Sequence, residues 1–252
     1  MGDGNQEETD TSRRNFLKNT GYVAGGVVGG GIIGSLLGVN FTGTEDETST
    51  SDKKPPEFQN ALMYFNNQQE FRTLADATER IYPEDDNGPG AIELGVPFFI
   101  DHQLAGSYGH NIREYMQGPF HKGTPYQGYQ TRLKRHEIFM KGIRELEKQS
   151  NDLYDASFTD LDNDKKDEIL SKFENDDIDM KGVKSSEFFN LLLSATLAGV
   201  YADPLYGGNA NMEGWKMKEF PGDQMQYIDD IEKEKFIKME PRALNSHIDI
   251  RR

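Results

Sequence analysis

The sequence predicts an all-α protein with a single domain of about five helices. Large apolar residues recur at three- and four-residue intervals in successive segments, which is the spacing of one face of an α-helix. No segment alternates apolar and polar residues with comparable strength, as a half-buried strand would. The chain has 252 residues, which is enough for one ordinary domain with appendages.

The first 41 residues carry the features of an export signal. Residues 12–18 read SRRNFLK, and an uncharged stretch rich in Gly, Ala, Val, Ile and Leu follows at residues 21–41. A paired arginine before an apolar segment is typical of twin-arginine signals, which direct a protein to a translocase that moves folded proteins. The candidate signal residues are Ser12, Arg13, Arg14, Phe16, Leu17 and Lys18.

The apolar run is also long enough to stay attached as a membrane anchor. Roughly 21 residues at 1.5 Å per residue cross a hydrocarbon core of ~30 Å, and no A-x-A-like cleavage site follows. Four glycines at four-residue spacing form a close-packing ridge for a membrane helix: Gly26, Gly30, Gly34 and Gly38. The alternative is a cleaved signal whose glycines only keep its hydrophobicity low.

A flexible linker is predicted at residues 42–56, TGTEDETSTSDKKPP. Its polar and charged side chains bury too little apolar surface to offset the free-energy cost of ordering the chain. The folded body therefore begins near Glu57.

The first two helices of the body are predicted at residues 68–82 and 91–105. Pro83 ends the first, and the turn formers that follow read as a solvated turn. Their carboxylates lack the spacing and the late Glu of an EF-hand loop. Pro97 falls in the first turns of the second helix, and Gly106 is placed to cap its end.

Three more helices are predicted further along the chain. The first reaches from residue 129 to 148 and carries His136. We interpret His136 as a half-buried side chain whose hydrogen bonds are satisfied, and not as a metal ligand. The second is short, with Asp162 as its N-cap and Phe173 near its end. The last, at residues 184–201, is apolar around most of its circumference, which indicates a central position.

Composition excludes several functions. The formal net charge of −15 repels phosphate backbones, so nucleic-acid binding is not expected. The chain has no Cys, which excludes disulfides, thiolate catalysis and iron–sulfur ligation. It also lacks the G-x-S-x-G, H-E-x-x-H and Walker motifs. We therefore assign no catalytic, metal-binding or cofactor-binding residue to this chain.

The stretch from residue 201 to 222, YADPLYGGNANMEGWKMKEFPG, has two interpretations. One is a docking surface, because aromatic side chains in a glycine-rich loop offer large contact area at low conformational cost. The other is a loop whose Trp completes the domain's own core. The docking candidates, led by Trp215 and Tyr206, are Asp203, Pro204, Tyr206, Gly207, Gly208, Asn209, Trp215, Pro221 and Gly222.

Two stretches carry a resemblance to a known family. They are ERIYPEDDNGPGAIELGVPFFIDHQLAG and FFNLLLSATLAGVYADPLYGGNANMEGWKMKEFPG, the second containing D-P-x-Y-G-G-N…G-W…P-G. Residues 58–222 resemble the gluconate 2-dehydrogenase subunit 3 family, the small subunits of exported, membrane-bound flavoprotein dehydrogenases. A domain at residues 57–222 is expected, followed by an acidic tail at 223–252 outside the matched motif.

The resemblance implies a non-catalytic accessory subunit. Its partner would be a large flavoprotein subunit of the glucose/methanol/choline oxidoreductase type, which holds the FAD and crosses the membrane as a passenger. The twin-arginine translocase and a membrane electron acceptor are further implied partners, and the location is the extracytoplasmic face, with the chain membrane-anchored. The alternative is a stand-alone extracytoplasmic binding or structural protein with the same fold.

Overall fold

The structure is a computed structural model that describes residues 61–247, apart from residues 122, 125, 126 and 129. The predicted export signal, the apolar run at 21–41 and the linker at 42–56 lie outside these residues. Among the helices that are described, none combines the length and the apolar character needed to cross a bilayer.

The described residues form a helical domain. Its α-helices are α1 (Gln68–Ile81), α2 (Val96–Ala105), α3 (Arg135–Tyr154), α4 (Asn163–Glu174), α5 (Ser185–Val200) and the short α6 (Glu213–Met217). Four 3-10 turns accompany them, at Phe158–Asp160, Pro204–Tyr206, Ala210–Met212 and Leu244–His247. Within this part of the chain, extended pairing is limited to isolated bridges. The all-α prediction is confirmed for the described region. It contains five longer helices and, in addition, a sixth helix of five residues.

The first two helices agree with the predicted positions except at the start of α2. Residues 91–95 form a turn instead of helix, because Gly95 adopts the left-handed conformation with φ of 74°. Pro97 occupies the first turn of α2, as expected. The backbone N–H of Gly106 caps its end by donating to the carbonyl oxygens of His102 and Gln103.

Helix α3 begins at Arg135, six residues later than predicted, and ends at Tyr154. Neighbouring polar groups fix its start. Asn111 Oδ1 accepts from the backbone N–H of Arg135 at 2.9 Å, and Gly109 O accepts from His136 N at 3.1 Å. His136 is half-buried, and its Nδ1 lies 2.9 Å from Gly109 O, so it is the satisfied histidine that the sequence predicted.

Helix α5 lies at the centre of the domain and packs against α1, α2, α3 and α4. Phe188, on α5, makes edge-on ring contacts with Phe139 and Phe173 at centroid distances of 5.9 and 5.5 Å. All three rings are fully buried. Gly142 on α3 has no side chain to displace the Phe188 ring, so α3 and α5 approach closely.

Two ion pairs connect α1 to α4. Arg80 binds Asp167 through two hydrogen bonds of 2.8 Å. Lys166 Nζ lies 2.5 Å from Asp76 Oδ2, and both side chains are almost fully buried. The N-cap of α4 is Asp162, whose Oδ1 accepts from Lys165 N at 3.0 Å, as predicted.

Candidate functional site

The motif loop, residues 203–222, begins with a side chain that makes two backbone contacts. Asp203 Oδ1 accepts from the N–H of Leu205 at 2.9 Å, which caps the 3-10 turn at Pro204–Tyr206. Asp203 Oδ2 accepts from the N–H of Leu244 at 2.8 Å. The carboxylate therefore fixes the turn and also holds a segment 41 residues further along the chain.

The two glycines of the motif lie where backbones approach closely. Gly207 has φ of 95°, and a Cβ there would lie 3.3 Å from His102 Nδ1 on α2. A Cβ on Gly95 would lie 2.8 Å from the carbonyl oxygen of Gly207. A Cβ on Gly208 would collide with the carbonyl oxygen of Gly199 on α5. The loop is thus packed between α2 and the end of α5, with no room for a side chain at Gly208 and little at Gly207.

Asn209 holds the loop from inside. Its side chain is fully buried, with Nδ2 donating to Ala202 O at 2.8 Å and Oδ1 accepting from Gly214 N at 2.8 Å. Its own backbone is left-handed, with φ of 49°. Asn tolerates this conformation better than most residues and satisfies its polar atoms here. Asn209 is therefore a structural clamp and not a surface contact.

Trp215 lies in the interior of the domain. Its side chain is 6% exposed, its indole N–H donates to Tyr201 O at 2.8 Å, and its ring meets that of Phe220 edge-on at 5.4 Å. A Cβ on Gly222 would lie 2.6 Å from the Trp215 ring. This placement corresponds to the second interpretation of the sequence, in which Trp215 completes the domain's own packing.

The exposed part of the loop is formed by other apolar side chains. Tyr206 is 50% exposed, and Leu205 and Phe220 are similarly open to solvent. Leu244 is also exposed and is held beside the 3-10 turn, since Asp203 binds the N–H groups of both Leu205 and Leu244. These are the apolar side chains that the motif loop and the adjoining Leu244 leave open to solvent.

Part of the C-terminal tail belongs to the same structure. Asp223 N donates to Arg242 O at 2.7 Å, and Arg242 N donates to Pro221 O at 3.1 Å. His247 Nε2 lies 3.0 Å from Asp223 O. These contacts join the end of the motif loop to residues 242–247. No local sequence pattern predicts these contacts, because they connect positions far apart in the chain.

Helix α2 joins the motif loop to the chain that enters the domain. Asp101 is fully buried and accepts from the N–H groups of Met63, Tyr64 and Phe65 at 2.5, 3.1 and 2.8 Å. The next residue of α2 is His102, and its Nε2 atom lies 2.8 Å from Ala61 O. The other ring nitrogen of His102 faces Gly207. One helix thus fixes both the entering segment and the loop.

The Tyr82 side chain lies beside the motif loop, with its hydroxyl oxygen 3.8 Å from Met217 Sδ. Burial raises the pKa of the nearby Tyr82 well above its ordinary value, and its contact with Tyr201 adds to the shift, so the phenol stays neutral. Among the described residues, no group of three or more His, Asp or Glu side chains is placed to hold a metal ion. An open groove of ≈ 520 Å³ runs along α3 beside Tyr64 and Met140, and none of its lining residues belongs to the loop.

The fold and the site define a helical domain whose motif loop is built from close backbone packing and buried amide contacts, with apolar side chains on its outer face. The sequence model of the family described as gluconate 2-dehydrogenase subunit 3 matches residues 68–222. The chain belongs to this family, which confirms the resemblance drawn from its motifs. No curated protein and no solved structure gives a match.

In the structure, some of the predicted site residues support the motif loop from inside and others face solvent. Asp203, Gly207, Gly208, Asn209 and Trp215 build the loop from inside, while Tyr206 is the predicted aromatic residue that faces solvent. Pro204, Pro221 and Gly222 are half-buried. The sequence reasoning missed Gly95, just before α2, and Gly199, on α5, which leave room for the backbone of the loop. Both stand in the stretches that carry the family resemblance, but a glycine's packing partner is not visible from its position alone.

Proposed function

We propose that this chain is the non-catalytic accessory subunit of an exported FAD-dependent dehydrogenase of the gluconate or sugar type. Membership of the gluconate 2-dehydrogenase subunit 3 family supports this proposal, because a third subunit by that description implies a larger enzyme as partner. FAD and the redox chemistry are assigned to the large flavoprotein subunit. This chain supplies the export address and a docking surface.

The observation that carries the docking role is the outer face of the motif loop. Tyr206, Leu205 and Phe220 are exposed on a backbone that is held by Asp203, by Asn209 and by close glycine packing. A preorganised loop loses little conformational freedom on binding. Tyrosine is enriched among the residues that dominate interface energies. We therefore place the large subunit on this face.

The export role rests on the arginine pair at residues 13 and 14. A flavoprotein that folds around FAD in the cytoplasm must cross the membrane folded, and the twin-arginine route carries folded proteins. The complex then works on the extracytoplasmic face, held there by residues 21–41, and passes electrons to a membrane acceptor. Within the described residues, α2 contacts both the entering segment at Ala61 and the motif loop at Gly207.

Co-purification tests the docking role. A tag on the full chain should retain a flavoprotein dehydrogenase from the same genome, recognised by its flavin absorbance, when the two are co-expressed. Tyr206→Ala should weaken this complex by ~2 kcal/mol or more, about 30-fold in Kd. Tyr115→Ala is the matched control, since Tyr115 is 80% exposed but lies outside the motif loop, and it should leave the affinity unchanged.

Two outcomes would contradict the proposal. Failure of the unaltered chain to retain any flavoprotein would favour the stand-alone binding or structural protein. Equal losses of affinity for Tyr206→Ala and Tyr115→Ala would show that binding does not depend on the motif loop.

A further inference from the structure

We propose that residues 223–241, the apolar arm, form a second docking element for a protein partner that has an apolar pocket bordered by Lys and Arg. This inference rests on the proposed function, which makes the flavoprotein subunit that partner. It adds a contact surface that lies outside residues 68–222, the part of the chain that the family model matches.

The arm is a loop closed at its base. Asp223 N donates to Arg242 O at 2.7 Å and Arg242 N donates to Pro221 O at 3.1 Å, so its two ends lie side by side. Gly222 forms this base with φ of 69° and lies against the Trp215 ring. The arm is therefore anchored directly on the motif loop, and a partner that covers one reaches the other.

The arm exposes more large apolar side chains than a surface loop needs. Phe236 is 94% exposed and Ile231 is 77% exposed, and Met225 and Ile228 are nearly as open. Single exposed apolar residues are ordinary, whereas several together mark interaction sites. These four stand within a segment of 19 residues that contains no α-helix.

These four side chains are not buried against the rest of the domain. The polar contacts of the arm are local or peripheral: Ile231 N donates to Tyr227 O at 2.9 Å, and Lys238 forms an exposed ion pair with Glu219. The buried core comes from other elements, and none of the arm's apolar residues is part of it. The arm thus keeps its apolar surface available to a partner.

Charge selects the class of partner. Six acidic and three basic side chains lie in residues 223–241, and Asp229, Asp230 and Glu232 flank the exposed isoleucines. Anionic lipid headgroups would repel these carboxylates. A second copy of this chain, at a net charge of −15, would repel them as well. A different protein with basic residues around an apolar pocket provides the complementary charge.

The test is a titration of the full chain with the flavoprotein subunit that co-purifies with it. The arm variant combines Ile228→Ser, Ile231→Ser and Phe236→Ser, and we expect it to bind at least roughly tenfold more weakly. The control combines Ile112→Ser with Tyr115→Ser, which removes exposed apolar side chains from another loop, and it should bind as tightly as the unaltered chain. Thermal unfolding should be the same for all three.

A second variant tests the charge argument. Asp229→Asn combined with Glu232→Gln, which leaves the Asp230–Lys233 ion pair intact, should lower the association rate and flatten its dependence on salt, because rim charges act mainly on the encounter between partners. An association rate and salt dependence equal to those of the unaltered chain would overturn the assignment of a basic border.

The remaining outcomes separate the arm from the proposed function. If the unaltered chain binds the flavoprotein and the arm variant binds it equally well, the arm proposal is overturned while the accessory-subunit proposal stands. If the unaltered chain binds no flavoprotein, both are overturned. If the arm variant instead loses binding to vesicles of phosphatidylcholine and phosphatidylglycerol relative to the unaltered chain, the arm is a membrane contact and the proposal is wrong.

Discussion

Trp215 donates its indole N–H to the carbonyl oxygen of Tyr201 across 2.8 Å, and Tyr201 is the C-cap residue of α5. The last carbonyl groups of a helix lack partners within it, and Trp215 supplies a donor for the one at the C-cap. Asn209 Nδ2 binds the next carbonyl oxygen, that of Ala202, at 2.8 Å. The loop therefore completes the end of the central helix, and its exposed face depends on these buried contacts.

The first prediction concerns the stability contributed by Trp215. Trp215→Ala should lower the free energy of unfolding of the chain alone by ~3–5 kcal/mol, because it leaves a cavity beside Phe220 and Gly222. Trp215→Phe keeps most of the apolar contact and leaves Tyr201 O without its donor, so a smaller loss of ~1–3 kcal/mol is expected. Urea unfolding without the flavoprotein measures both. A Trp215→Ala protein that unfolds normally but no longer binds its partner would make Trp215 a docking anchor instead.

The helices were predictable because each carries its own signal. The N-cap Asp162 and the proline in the first turn of α2 act within a few residues of the chain, and both lie where the sequence predicted. The start of α3 was placed too early because it is set by Asn111 and Gly109, which accept from its first N–H groups. Apolar periodicity does not contain that information.

The D-P-x-Y-G-G-N sequence marks the motif loop, but it does not show which side chains of the loop are buried. Trp215 and Asn209 are buried while Tyr206 is exposed, and the role of the loop in docking stays a prediction. The loop packs closely against Gly95, just before α2, and against Gly199, near the end of α5. The link from Asp203 to Leu244 spans 41 residues, so no local pattern could reveal it.

The second prediction separates packing from backbone strain at Gly207. Gly207→Ala and Gly182→Ala both place a Cβ on left-handed backbone, at φ of 95° and 93°. Ala at such positions is strained by ~1 kcal/mol or more. Only at Gly207 does the new Cβ also approach α2, 3.3 Å from His102 Nδ1, whereas at Gly182 the nearest atom is 4.0 Å away. Gly207→Ala should therefore lower the unfolding midpoint further. Equal midpoints would show that the loop shifts away from α2 without loss.

The third prediction concerns export. The translocase reads the arginine pair, so Arg13→Lys combined with Arg14→Lys should leave the chain and its bound flavoprotein in the cytoplasm. Cell fractionation with immunoblotting of both proteins measures this. Lys18→Arg is a suitable control, because it keeps both the charge and the pair. Normal export of the double variant would refute the twin-arginine interpretation.

The fourth prediction concerns the buried ion pair between Asp76 and Lys166. Burial raises the pKa of Asp76 above its ordinary value of 3.8, and Lys166 opposes that rise. Lys166→Met would leave the carboxylate buried without its partner, which should cost ~3–5 kcal/mol of stability at neutral pH. Lys165→Met is the control. Lys165 is the adjacent residue and pairs with the exposed Asp162, so its loss should change stability little.

The pH dependence of this loss gives the sharper result. In the Lys166→Met protein the pKa of Asp76 should rise further, since the ammonium group that lowered it is gone. A carboxyl group whose pKa is raised by folding favours the folded state at low pH, and this contribution is lost as the pH rises through the folded-state pKa. The stability difference from the unaltered protein should therefore narrow as the pH falls from about 7 to about 4. Urea unfolding at several pH values measures it, and a difference that stays constant across this range would mean that Asp76 is not the group left uncompensated.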